Sequence, residues 1–364
     1  MTTTIRALNA RAVYAPMARR LQTSTGSVDR APMVLLDLVT SSGATGRSYL
    51  FTVTPLALKA QVALLGEMAS LIVGQPLVPF EIERLLNRRF TLLGQTGLVA
   101  MAIAGIDMAA WDARAIEAGL PLARLLGGEP RPVPAYNSCG LGLTGARFDP
   151  DALALEATEL LRGGFTAVKL RLGYRTLEED VAAANAVRDA VGEGVSIMSD
   201  YNQALDPTEA IRRGHALDEL GLAWIEEPVR ADDHAGCARV AAALRTPVQI
   251  GENYWGSRDM ARAVAALASD YVMPDLERIG GVSGWLRAAA IADAAALPMS
   301  THLFPEISAQ LMCVTPTAHW LEYVDWANPV LRSPLEIRDG RAIVPEVPGC
   351  GLEWDEARVS EYAF

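Results

Sequence analysis

Short apolar runs of strand length recur through the second half of this chain, separated by Ala- and Leu-rich segments with helical spacing. The runs SIMSD, LAWIEE, PVQIGEN, YVMPD and LPMSTH are near-continuous rather than alternating. Strands buried on both faces require that pattern, and such strands are parallel ones flanked by helices. The rhythm predicts successive βα units, with strands near 133–139, 167–172, 196–200, 223–226, 248–252, 271–275, 299–302 and 320–322. Helices are expected between them at 156–162, 177–191, 207–220, 232–244, 258–268 and 284–295.

The first third is patterned differently. Residues 4–15 and 32–53 alternate in strand fashion, and SSGATG has the Ser and Gly content of a hairpin connection. Pro55 opens a helical pattern that runs to Ile72, a second covers Glu81 to Thr91, and a third covers Gly97 to Ala118 and closes at Gly119. These elements predict a separate α+β unit. LLGGEPRPVPAY, with its Gly-Gly and three prolines, marks the boundary.

Polar residues fall at the ends of the apolar runs. Asp200, Glu226, Glu252, Asp275 and His302 follow one another at gaps of 26, 26, 23 and 27, about one per βα unit. The carboxyl ends of barrel strands open into a common mouth, so these side chains converge there. Three carboxylates gathered in one place repel unless a cation neutralises them, and oxygen-only ligation suits Mg²⁺.

Composition narrows the function further. With 364 residues, 51% of them apolar, the chain holds a barrel and a smaller domain. A net charge of −11 with no cluster of Lys and Arg predicts neither a nucleic-acid partner nor an anionic membrane surface. Cys139, Cys237, Cys313 and Cys350 lie far apart, which fits a reduced cytoplasmic protein. The N-terminus lacks the apolar core of a signal peptide, and the apolar stretch Gly97 to Ile106 is interrupted by Asp107. Gly280-Gly281 follows no phosphate-loop spacing and is read as a tight turn.

VKLR (168–171), SDYNQ (199–203), WIEEP (224–228), GEN (251–253), MPDLERIGG (273–281), THLF (301–304) and HWLE (319–322) carry a family pattern. GIDMAAWDA (105–113) and VTPLALK (53–59) extend it over essentially the whole chain. The sequence resembles the mandelate racemase subgroup of the enolase superfamily. That resemblance implies an α/β fold: a modified TIM barrel, (β/α)7β, over 128–324, an N-terminal α+β capping domain over 1–127 with a lid loop at 18–32, and a segment 325–364 returning to the cap.

It also implies roles. Asp200, Glu226 and Glu252 are the Mg²⁺ ligands, and His302 with Asp275 forms a base dyad. Glu322 is a proton-bearing acid of raised pKa, and Lys169 contacts the substrate carboxylate. Ser138 and Asn202 lie near substrate and metal, while Leu21, Val28, Arg19 and Arg20 belong to the lid over the substrate. His319 is expected to pack beside the last strand, and His215 and His234 to be solvated.

One position departs from the pattern. The subgroup reads Lys-x-Lys where this chain has Lys169-Leu170-Arg171, and a guanidinium is a poor proton acceptor. Arg171 is read as a bidentate clamp for substrate or as an ion-pair partner of a metal carboxylate. Racemisation through an enediolate uses a base on each face of the substrate; dehydration needs one. The implied reaction is Mg²⁺-dependent dehydration of an acid sugar to a 2-keto acid, with racemisation of a 2-hydroxy acid as the alternative and a non-catalytic binding protein as the remote one. The expected partners are a small-molecule carboxylate and further copies of the chain, in an even-numbered homo-oligomer such as an octamer.

Overall fold

The computed structural model describes residues 3–24, 26–145 and 147–364. The chain opens as a long antiparallel hairpin, β1 (Ile5–Thr23) against β2 (Gly26–Thr40), with β3 (Thr45–Phe51) on the other side of β2. The expected lid loop at 18–32 is therefore the far end of this ribbon, where Leu21 pairs with Val28. A two-stranded ribbon with few residues on the core carries polar side chains on both faces. Arg19, Arg20, Asp29 and Arg30 thus hide the alternation that marks a strand.

A 3-10 turn at Pro55–Ala57 leads into α1 (Leu58–Ile72), followed by α2 (Pro79–Arg89), α3 (Gly97–Ala118) and α4 (Leu122–Leu125). Residues Pro55–Ile72 are apolar and long enough to cross a membrane by composition alone. One face of α1 is buried through Leu58, Leu65, Met68 and Ile72, as in a helix that packs on a core. α3 ends at Gly119 in the left-handed conformation, φ 67°, as its sequence predicts. It lies on β3 so closely that a Cβ at Gly46 would sit 2.0 Å from the Ala109 carbonyl oxygen.

The barrel runs β4 (Val133–Asn137), α5 (Pro150–Leu160), β5 (Ala167–Arg171), α6 (Leu177–Val191), β6 (Ser196–Asp200), α7 (Pro207–Leu217) and β7 (Trp224–Glu226). It continues with α8 (His234–Ala243), β8 (Val248–Ile250), α9 (Ser257–Ala265), β9 (Tyr271–Val272), α10 (Leu276–Ile279) and α11 (Gly281–Ala294). β4 to β9 are parallel neighbours in chain order. The run at 299–302 forms only isolated bridges, Met299 to Val272 and Ala318, and His302 to Asp275. Pro298 before it has no amide hydrogen to give, and Leu303 and Phe304 after it are both left-handed, at φ 50° and 49°.

α12 (Pro305–Met312) follows, buried along its whole length, and β10 (Leu321–Tyr323) closes the ring by pairing with β4. The last segment adds a small hairpin, β11 (Ile337–Arg338) and β12 (Arg341–Ala342), on β4. It then returns to the cap, where Ala363 bridges Val13, the Trp354 indole donates to Asp37, and α13 (Glu356–Glu361) ends the chain. Gly280 and Gly281 form the tight turn between α10 and α11, at φ 104° and 68°. A Cβ on Gly281 would meet Asp107 of α3 at 2.6 Å, so this turn sets the contact between cap and barrel.

Candidate metal centre and active site

β6 ends at Asp200 and β7 at Glu226, while Glu252 stands just past β8. The intervening Gly251, at φ 140°, has the Met273 amide nitrogen 2.9 Å from where its Cβ would be, so no other residue fits. One oxygen from each carboxylate lies within 4.8 Å of the others. Asn202 donates to both oxygens of Asp200, at 2.8 and 3.0 Å, and the Trp224 indole donates to Glu226 at 3.1 Å. The Asn202 side-chain oxygen is buried without a hydrogen-bond partner. Burial, with Asp200, Glu322 and Glu252 adding to it against Lys169, pushes Glu226 up to about 8. A largely buried, oxygen-only site in which anions crowd one another and a lone pair goes unused fits a hard dication.

The fold sets a cationic side chain beside these carboxylates. Lys169 on β5 is fully buried, with its Nζ 2.8 Å from Glu226, 2.7 Å from Glu322 and 3.4 Å from Asp200. Two residues on, Arg171 differs from the expected clamp. Its Nη1 donates to the carbonyls of Gly140 at 2.7 Å and Ser138 at 3.3 Å, and its Nη2 donates to the Ser138 hydroxyl at 2.7 Å. Both terminal nitrogens hold the loop after β4, and Nε is buried without a hydrogen-bond partner. That nitrogen lies 4.0 Å from Asp200, as in the ion-pair reading. Ser138 is wholly buried behind it.

Asp275 and His302 meet as the sequence implies. Asp275 caps α10 with Oδ1, accepting from the amides of Glu277 at 2.8 Å and Arg278 at 3.1 Å, and its Oδ2 lies 2.6 Å from His302 Nδ1. His302 Nε2 faces Glu252 at 3.2 Å. Burial by itself lowers the imidazole, but Glu252, Glu322 and Asp275 outweigh it and push His302 up to about 10.

Glu322 runs against expectation. Burial raises its carboxyl, yet Lys169 and His302, with hydrogen bonds from Lys169 and the Leu303 amide, hold it well below the usual range. In this arrangement it is an acceptor rather than a proton-bearing acid.

Asp200 and Glu252 of the metal triad, with Lys169, Arg171, Asn202, His302 and Glu322, line one cavity of about 410 Å³, and Glu226 is buried behind them. Leu21 and Val28 of the ribbon reach it, together with Phe51, Leu303 and Trp326. Phe51 and Trp326 stack at 4.9 Å to form an apolar wall. Arg19 and Arg20 do not line it: Arg19 pairs with Glu156 and Glu159 on α5, and Arg20 donates to Ser27 and borders a separate groove. Val324 lies behind the wall rather than on it. His319 packs among Trp224, Tyr271 and Trp320, as expected.

Sequence reasoning passed over several lining residues, among them Glu227, Asn253, Glu277 and Arg278. Glu227 is buried and accepts both of its hydrogen bonds from Asn253; Arg278 donates to Asn253 and to the Glu252 carbonyl; Glu277 is buried beside the dyad. All four stand inside the quoted motifs WIEEP, GEN and MPDLERIGG, but no spacing rule gives them a role.

Comparison with known proteins agrees with this geometry. The family described as "Mandelate racemase / muconate lactonizing enzyme, N-terminal domain" matches residues 6–127, and "Enolase C-terminal domain-like" matches 152–358. L-talarate/galactarate dehydratase of Salmonella typhimurium is 35% identical over 294 residues, 80% of this chain and 72% of that enzyme. The crystal structure of an enolase from alpha proteobacterium BAL199 with bound magnesium is 46% identical, with TM-score 0.97 over 100% of both chains. An enolase from Bradyrhizobium complexed with magnesium and mandelic acid is 44% identical, with TM-score 0.94 over 100% of this chain and 99% of that one. The chain therefore belongs to the mandelate racemase / muconate lactonizing enzyme group of the enolase superfamily, as a magnesium-dependent hydro-lyase or racemase.

Proposed function

We propose that this enzyme removes the proton α to the carboxylate of a sugar acid and expels the β-hydroxyl as water, so that the resulting enol becomes a 2-keto acid. One observation carries the reading: the site is one-sided. His302 stands as a base on one face. On β5, Lys169 is locked among three carboxylates and Arg171 is spent on Ser138 and Gly140. Racemisation needs a proton acceptor on each face, whereas a dehydratase can take the α-proton and return it to the leaving hydroxyl through the same imidazole.

Asp200, Glu226 and Glu252 would hold Mg²⁺, which supplies Lewis-acid stabilisation of the charge gathering on the substrate carboxylate. Asp275 keeps His302 Nδ1 as the donor, and a cation on Glu252 would offset the anions that raise the imidazole, so that Nε2 could face the substrate as acceptor. Lys169 adds fixed positive charge beside the triad. Asn202, whose side-chain oxygen has no partner, and Gln203 would offer hydrogen bonds to substrate hydroxyls at the cavity. The 35% identity to a talarate/galactarate dehydratase supports the same chemistry.

A second reading, proton exchange on an aryl 2-hydroxy acid, is favoured by the Phe51–Trp326 wall and by the relative crystallised with mandelic acid. Incubating a panel of sugar acids and aryl 2-hydroxy acids with enzyme and Mg²⁺ in D₂O, followed by ¹H NMR, separates the two. A new 2-keto acid supports dehydration, whereas loss of optical rotation with deuterium at the α-carbon and no carbonyl product supports racemisation. Exchange into no acid would favour a non-catalytic binder.

Four buried, free cysteines support a reducing, cytoplasmic setting. Exposed Leu56, Leu92 and Leu93 on the cap support an even-numbered homo-oligomer, which light scattering would size.

A further inference from the structure

Glu277 lies 1% exposed at the edge of the cavity, on the first turn of α10, and nothing above gives it a part in the chemistry. Its contacts join two pieces of the molecule that are far apart in sequence. The Phe51 amide, at the end of cap strand β3, donates to Glu277 Oε2 at 3.0 Å. The Glu277 amide donates to Asp275 Oδ1 at 2.8 Å, and Asp275 Oδ2 meets His302 at 2.6 Å. A continuous line of hydrogen bonds therefore runs from the strand that carries the apolar wall to the base.

The wall needs such an anchor. Just beyond Phe51, the Thr54 amide turns back to the Thr52 carbonyl with Val53 between them at φ 59°, a three-residue turn that is rare for a β-branched residue. Val53 is half exposed at the cavity. Strain stored there persists only if the surroundings fix both ends of the turn.

Burial first, and then the charge of Asp275, hold the Glu277 carboxyl well above its usual range. A neutral carboxyl accepts the Phe51 amide without setting a further anion beside His302.

We propose that Glu277 is a positioning residue that fixes Phe51, and with it the Phe51–Trp326 wall, relative to the His302–Asp275 dyad and so determines the size of acid the enzyme processes. This rests on the α-proton reading above. A ring-bearing acid held at the metal would reach toward the wall, and a three-carbon acid would stop short of it.

The test measures α-proton exchange in D₂O with Mg²⁺, for mandelate and for glycerate, in wild type and in three variants. Glu277→Gln keeps an acceptor for Phe51 at the same reach and is expected to stay within about threefold of wild type for both acids. Glu277→Leu removes the acceptor, and Glu277→Asp draws it back by a methylene. Both are expected to raise KM for mandelate about tenfold or more, while KM for glycerate and kcat for either acid change by less than about threefold. If the leucine variant fails to fold, the aspartate variant carries the test. Equal losses on both acids, a loss in kcat in place of KM, or no loss at all would overturn the proposal. A wild type that exchanges neither proton would defeat the α-proton reading instead. Dissociation constants of the two acids by calorimetry, compared across the same variants, would then decide the positioning role by itself.

Discussion

Asp275→Asn separates the two tasks of one side chain. Oδ1 caps α10 by accepting from two amides, at 2.8 and 3.1 Å, and Oδ2 orients His302 at 2.6 Å. Asparagine has one oxygen and one NH₂. With the oxygen on the cap, the NH₂ faces Nδ1, which must then accept. The imidazole proton moves to Nε2, and the nitrogen that faces the substrate is no longer a base. With the amide reversed, two amide donors lose their acceptor at about 1–3 kcal/mol each, or about 2–6 kcal/mol together. The productive tautomer is then populated at about 3% or less. Exchange and turnover should fall by about 30-fold at the least and by about 10⁴ at the other extreme, the size of the comparable Asp-to-Asn loss in a serine protease triad. Asp275→Ala loses the cap as well and should be less stable than Asp275→Asn by about 0.5–2 kcal/mol. Deuterium uptake at the α-carbon reads the first effect and urea denaturation the second. An asparagine variant that exchanges within threefold of wild type, or melts below the alanine variant, would refute this account of the dyad.

Chelation of Mg²⁺ should lower the stability of the wild type by about 2.7 kcal/mol relative to protein held at a hundred times its dissociation constant, and Glu226→Gln should shrink that difference in calorimetric melts. Arg171→Lys should cost about 1–3 kcal/mol in urea, because the Ser138 and Gly140 acceptors lose part of their donor set. It should give no exchange from the enantiomer turned away from His302, since an ammonium set among those acceptors keeps its proton; racemisation by this variant would return the obstacle to Arg171 alone.

Asp107 on α3 is pushed up to about 7, chiefly by burial and against its hydrogen bonds from Ser283. The folded state thus keeps a proton that the unfolded chain releases near its ordinary pKa of about 3.9. The associated stability is full below that value and is lost as pH rises through about 7. Between pH 5 and 8 wild type should lose about 2–3 kcal/mol relative to Asp107→Asn, and parallel pH profiles of unfolding free energy would contradict this.

The catalytic skeleton is legible in the sequence because it sits at strand ends, where a both-faces-buried apolar run stops and one polar residue turns into the mouth. Asp200 and Glu226 end their strands, and Glu252 comes two residues after one. The gaps between them read out the length of a βα unit. Long helices are equally plain: α3 begins and ends where its pattern and Gly119 predict. Elements that bury themselves without periodic contrast are not legible. α12 is buried on every side and so has no polar face to define a stripe, and the ribbon at 18–32 sets only Leu21, Val28 and Ala31 toward the core among its polar residues.

Side-chain partnership is the level at which residue identity is an insufficient guide. Lys169 and Arg171 point from one strand toward the same mouth, and charge alone gives both to the substrate. The loop after β4 decides otherwise: its turn presents the Ser138 carbonyl and hydroxyl and the Gly140 carbonyl to one guanidinium, whose two terminal nitrogens reach all three where a single ammonium does not. An arginine here therefore follows from the backbone it holds. The same commitment that keeps the loop closed leaves His302 as the acceptor, and a one-base site is better matched to a reaction whose proton leaves and returns on the same side.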